Sequence, residues 1–139
     1  MNIFNIEDLF TEKNEREGMW FEPEFDGVKC GVKFLLIGIN SDEAASEMNK
    51  FDELSEQIKS SDDNDSVKEE KLSVLDAERV AALTKEIRTT DDSTLMYNNQ
   101  PVTKDNVKEV AKTLYLNSPD IKMACVDFVL KATNFMKIK

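Results

Sequence analysis

The chain has 139 residues, 28 of them acidic and 18 basic, with no histidine and a formal charge of −10. Without an imidazole it has no means to build a Ser-His-Asp triad, a Cys-His dyad, a His-ligated zinc site or a proximal haem ligand. A pI near 4.5 sets it against nucleic-acid phosphates, which attract basic surfaces, and leaves proteins as the expected partners.

Hydrophobic residues make up 40% of the chain and charged ones 33%, with four Gly and three Pro. That composition predicts a helix-rich globular protein, and the length predicts a single domain over 1–139. The predicted parts are a lead over 1–17, a β-hairpin over 18–39, and a helical part over 40–139 that contains a mobile acidic loop at 59–66. The start MNIFNIEDLF has acidic residues and no basic n-region. No apolar run reaches the ~20 residues of a membrane span. A soluble intracellular protein with no membrane partner is expected.

The lead carries five large apolar residues, Ile3, Phe4, Ile6, Leu9 and Phe10, ahead of the charged run TEKNEREG. Segments so apolar are tied down when they lie near a chain end, so it reads as a docking element, within this chain or on another. From Met19 the period changes to two. Met19, Trp20 and Phe21 form a short aromatic strand, Asp26-Gly27 supplies turn chemistry, and residues 28–34 alternate apolar and polar, which together spell a β-hairpin. The alternation predicts Val28, Cys30, Val32, Phe34 and Leu36 on a packed face, with Lys29 and Lys33 opposite. Because two strands alone are marginal in water, helices or another subunit must cover that face.

Asn40 is the predicted N-cap of a first helix, with Glu43 at the capping-box position and Ala44, Met48, Phe51 and Ile58 at helical spacing up to about Lys59. The polar stretch KSSDDNDSVKEE follows. Ser66 with Glu69 predicts the next capping box, and Leu72, Leu75, Val80, Leu83 and Ile87 predict a helix of roughly 20 residues to about Arg88. The polar connection TTDDSTLMYNNQPV leads to Thr103, the predicted cap of a helix bearing Val107, Val110, Ala111 and Leu114. Ser118 as N-cap and Pro119 at the first helical position open the last helix, whose face is Ile121, Ala124, Cys125, Phe128, Ala132 and Phe135. The fold class predicted is α+β and mostly helical, an N-terminal β-hairpin packed on a bundle of about four helices.

Chemistry-bearing patterns are sparse. Asp63, Asp65 and Glu69 in DDNDS and its flank have a superficial likeness to a calcium loop, but the glycine at its sixth position and the glutamate at its twelfth are missing. The four glycines form no phosphate-cradling motif; Gly31 and Gly38 read as a bulge and a strand end. Cys30 and Cys125 lie apart in apolar stretches and read as buried free thiols, with a single disulfide between them as the alternative. Lys29, Lys33, Lys137 and Lys139 could gather into a small basic area or be plain solvated charges. No catalytic constellation emerges, so no enzyme and no cofactor are expected. The candidate protein-binding residues are Met19, Trp20, Phe21 and Phe25, the densest aromatic group. Phe21 is expected to pack in the core, while Trp20 either caps the core or marks a binding surface.

Glu17, Gly18, Trp20 and Phe21 stand at the hairpin start, Tyr97, Asn98, Pro101, Thr103, Asn106 and Val107 before the last two helices, and Asn134 and Phe135 after them. In these residues and in the order of its elements the chain resembles the tail assembly chaperones of long-tailed bacteriophages. The acidic run 60–65 and Gln100 depart from the family pattern. The resemblance implies a small acidic protein of the infected host's cytoplasm that holds the tail tube and tape measure proteins during assembly and leaves before the virion is finished. The alternative is a structural tail protein retained in the virion, such as a terminator, a completion protein or a head–tail connector. A homo-oligomer formed through the hairpin is left open.

Overall fold

A computed structural model describes residues 3–136 of the chain. The fold is α+β and mostly helical. In chain order the elements are α1 (Glu12–Glu17), β1 (Met19–Phe21), β2 (Glu24–Phe25), β3 (Val28–Lys29), β4 (Val32–Leu36), α2 (Asp42–Lys59) and α3 (Asp65–Ala82). Then come β5 (Thr84–Thr89), β6 (Met96–Tyr97), β7 (Gln100–Pro101), α4 (Val107–Asn117) and α5 (Pro119–Val129). Short 3₁₀ turns at Ile6–Leu9 and Ala132–Phe135 flank them.

The hairpin is present and carries a third strand. β1 pairs antiparallel with β4, setting Phe21 opposite Phe34 and Met19 opposite Leu36. β5 joins the other side of β4, with Ile87 opposite Phe34, so β4 is the centre of a three-stranded sheet. The helix expected to run to Arg88 therefore stops at Ala82. Leu83 and Ile87, four apart, fit a helix face, but Thr84, Ile87 and Thr89 are β-branched and stiff at χ1. Ile87 buries itself against β4, and Lys108 Nζ donates to the carbonyls of Ala82 and Thr84 at 2.8 and 3.3 Å, sealing the helix end.

The predicted alternation holds for Val32, Phe34 and Leu36 and fails for Val28 and Cys30, which are exposed. The strand breaks at Gly31, whose φ of +82° suits a residue without Cβ. Beyond that break β2 and β3 form a ribbon closed by Asp26 and Gly27, both at positive φ as an I′-type turn requires. Cys30 N–H donates to Pro23 O at 3.1 Å and Gly31 N–H to Glu22 Oε2 at 2.8 Å, so the ribbon is tied to itself and stands off the core.

Three caps shift by a few residues. Ser41, not Asn40, caps α2, accepting from Ala44 N–H at 3.2 Å, because Asn40 is engaged with Glu15 Oε1 at 3.1 Å. Asn64, not Ser66, caps α3 through Val67 N–H at 2.9 Å, which shortens the acidic loop to 60–64. α4 starts at Val107 rather than after Thr103, since Asn106 Oδ1 accepts from Thr103 N–H at 2.7 Å and holds the preceding turn. α5 opens on Ser118 and Pro119 as expected. It ends at Val129, and Phe135 reaches the core from the following 3₁₀ turn.

The inner face of the sheet and the helices α2 to α5 enclose one apolar cluster that includes Phe34, Leu36, Ala77, Ala81, Ala111, Tyr115, Cys125 and Phe135. Phe21 stacks on Phe128 at 4.6 Å, and Phe128 meets Phe135 edge-on at 5.5 Å. Among the described residues no helix is long and apolar enough to cross a membrane.

Candidate protein-binding site

Strand alternation divides the predicted binding residues. Met19 and Phe21 point inward and pack on the core. Trp20, between them, points to the outer face, where it is 36% exposed. Its ring lies under two cations, Lys33 Nζ at 5.0 Å and the Arg88 guanidinium at 5.4 Å from the centroid. Lys33 and Arg88 are cross-strand partners on β4 and β5, so the sheet register builds a tryptophan platform with a basic surround. Such contacts contribute about 0.5–1 kcal/mol each when exposed. Phe25 sits on the ribbon opposite Val28, and both side chains are exposed.

β1 is an edge strand. One side of its backbone has no strand neighbour among the described residues, and an open edge is a template for adding a further strand. The site thus combines open backbone groups, the Trp20 platform and the exposed Phe25–Val28 pair. Lys33 lies over Trp20 and Lys29 is exposed on the ribbon; Lys137 and Lys139 lie outside the described residues.

A second concavity went unread in the sequence. The polar connection before α4 folds into the small hairpin β6–β7, turned by Asn98 and Asn99 at φ +52° and +63° and closed by Val102 N–H to Leu95 O at 2.9 Å. It stands over an apolar groove of about 360 Å³ lined by Val32, Phe34, Met96, Tyr97, Leu114 and Ile121, among others. The readable signal was Asn98-Asn99 flanked by Tyr97 and Gln100, since asparagine tolerates positive φ.

Several charged side chains are paired with one another. Between α2, α3 and α4, Lys85 pairs with Glu43, Lys112 with Glu78 at 3.3 Å, and Lys108 is held on carbonyls. Burial, with Lys85 close by, pulls the Lys108 pKa down. Asp63, singled out for its likeness to a calcium loop, bonds Lys71 Nζ at 2.6 Å and Ser61 Oγ at 3.4 Å. That lysine contact lowers its pKa. Among the described residues no three His, Cys, Asp or Glu side chains group as metal ligands. Both cysteines are free. Cys30 is exposed, against expectation, because it lies on the ribbon. Cys125 is buried, and burial pushes its thiol up to about 12.

Several positions that carry the phage resemblance hold the fold. Asn106 Nδ2 donates to Pro101 O at 3.0 Å, Asn134 Nδ2 donates to Phe128 O at 2.9 Å, and Phe135 is fully buried. No protein-family model, curated protein or solved structure matches the chain.

Proposed function

We propose that the chain is a non-enzymatic, protein-binding assembly chaperone of a long-tailed bacteriophage, acting on tail tube and tape measure proteins in the cytoplasm of the infected host. The observation that carries the protein-binding part is the β1 edge with Trp20 exposed on its outer face. An incoming extended segment would pair with β1 through its backbone and lay an apolar or π-bearing side chain on Trp20. The charge of −10 keeps such a surface from self-aggregating. The assignment to tail assembly rests on the resemblance in residues 17–21, 97–107 and 134–135.

The test is co-expression with the tail tube and tape measure proteins of the same phage, followed by pull-down of the tagged chain. Capture of either is expected, with capture reduced by Trp20→Ser and Phe25→Ser; no complex with either overturns the proposal. Mass spectrometry of purified virions should lack the chain, whereas a stoichiometric amount would make it a structural tail protein instead.

A further inference from the structure

β5 is the other edge of the three-stranded sheet, six residues long against three for β1. Its pairing with β4 decides which of its backbone groups face outward. Thr90 N–H donates to Gly31 O at 3.0 Å, one step beyond the registered pair of Val32 and Thr89. In an antiparallel ladder directly opposite residues alternate between hydrogen-bonded and non-hydrogen-bonded pairs. Gly31 with Thr90 is a bonded pair, so Lys33 with Arg88 and Leu35 with Glu86 are bonded pairs too. Ile87 and Thr89 then turn their N–H and C=O groups away from β4. The same parity shows past the irregularity at Leu35 and Leu36. There Ile37 N–H donates to Leu83 O at 3.0 Å, and the outward Thr84 O accepts from Lys108 Nζ at 3.3 Å. Among the described residues the outward groups of Ile87 and Thr89 have no such partner. Val102 and Thr103 pass this edge with their N–H groups bound elsewhere, to Leu95 O at 2.9 Å and to Asn106 Oδ1 at 2.7 Å. Hollows of about 210 and 240 Å³, lined in part by residues 86–89, remain beside the strand.

The side chains of this edge are complementary to a copy of themselves. Glu86 and Arg88 flank the buried Ile87 and share the opposite, outer face of the sheet, where Arg88 Nη2 lies 3.0 Å from Glu86 Oε1. Lay a second β5 antiparallel to the first, with Ile87 opposite Ile87. The two outward Ile87 residues then exchange N–H···O bonds, and each Glu86 comes opposite Arg88 of the second copy. Those two charge pairs fall at non-hydrogen-bonded positions, where the Cα atoms are about 4.5 Å apart and side chains approach most closely. Opposite charges there are favourable and like charges are not. A register centred on Arg88 would set that cation against itself, so charge selects the register centred on Ile87. Charge also selects the occupant. The chain carries −10, but β5 holds two basic side chains and one acidic, so two copies meet there on a stretch without net negative charge.

We infer that β5 pairs antiparallel with β5 of a second copy across a two-fold axis at Ile87, joining the two three-stranded sheets into one. Main-chain bonds and two charge pairs hold the contact, as in other strand additions, and the dimer is reversible. The two-fold uses up both β5 edges, so the contact closes and propagates no filament. Each β1 edge with its Trp20 stays free, one at either end of the joined sheet. The contact uses β5 and not the N-terminal hairpin, and it is independent of which tail protein is bound.

The experiment uses the full chain in sedimentation and native mass spectrometry, and reverses charges on the outer face. Glu86→Arg sets Arg against Arg88 of the second copy, and Arg88→Glu sets Glu against Glu86. The wild type should show a concentration-dependent dimer, and each single reversal should weaken it at least about tenfold. An equal mixture of the two single variants, one of them ¹⁵N-labelled, restores both opposite-charge pairs and should give a mixed-isotope dimer. The chain with Glu86→Arg and Arg88→Glu together keeps both pairs with their signs exchanged and should dimerise as the wild type does. That double variant also reads the register, because a pair centred on residue 88 would set Glu against Glu. A wild-type monomer at every concentration, a dimer indifferent to both single reversals, or a double variant that stays monomeric while folded would each overturn the inference.

Discussion

The hydroxyl of Tyr115, on α4, and that of Thr84, the first residue of β5, are 2.8 Å apart in the core, 31 residues from each other in sequence. Thr84 Oγ1 also donates to Val80 O at 3.0 Å, and the Tyr115 hydroxyl also donates to Cys125 Sγ at 3.7 Å. The bond ties the third strand to the helix that covers it. The two ends are not equivalent. Tyr115→Phe leaves Thr84 with its Val80 partner and should destabilise the fold by about 1 kcal/mol, whereas Thr84→Val leaves the buried phenol only its long contact with Cys125 Sγ and should cost about 1–3 kcal/mol. Urea unfolding with an unchanged slope is the measurement, and the reverse ranking would refute this reading.

Stability should fall at alkaline pH. Burial raises the pKa of Tyr115 well above 10.0 and that of Cys125 from 9.0 to about 12. Folding therefore favours the protonated forms. Their contribution is complete below about pH 9, where the unfolded thiol still holds its proton, and is lost as pH rises through the folded values, at most about 1.4 kcal/mol per pH unit for each group. Cys125→Ala should flatten the part between pH 9 and 12. In the folded chain at neutral pH, Ellman's reagent should titrate Cys30 at once and Cys125 only on unfolding.

Gly38 and Glu15 form a steric lock. A Cβ on Gly38 would sit 2.7 Å from Glu15 Cβ, so Gly38→Ala should destabilise by about 1–3 kcal/mol, as overpacking does. It should also speed hydrogen exchange in α1. Glu15→Ala removes the acceptor for Thr11 and Asn40 and a smaller amount of stability. Because the clash and the lost carboxylate share one site, the double variant should be less damaged than the sum; simple additivity in a double-mutant cycle would argue against the lock.

Trp20 is the only tryptophan, so its fluorescence reports the candidate site. Lys33→Ala and Arg88→Ala should each shift its emission while changing stability by no more than about 1 kcal/mol. A bound client strand should move the emission to the blue. An emission maximum that ignores both cations would mean that the platform does not persist in solution.

The helix faces were readable because each is set within a few turns. Ala44 and Phe51 on α2, and Val107 and Ala111 on α4, repeat at helical spacing and are buried. Ser118-Pro119 announces α5 through the missing proline N–H alone. β5 was not readable in this way. Residues 83–88 carry a spacing of four that suits a helix, and strand pairing was decided by Phe34, more than fifty positions away. The groove under β6–β7 has the same origin, since Met96 and Leu114 line one cavity only after α4 packs beneath the Asn98-Asn99 turn.

From the residues alone it followed that Trp20 faces opposite to Met19 and Phe21, because successive strand side chains alternate, and that no histidine chemistry is open to this chain. Which of those two faces meets water was decided by the tertiary structure. Phe128, itself backed by Phe135, covers Phe21, while Lys33 and Arg88 arrive over Trp20 from two other strands. Local rules set direction along a chain; burial depends on what distant segments bring to each face.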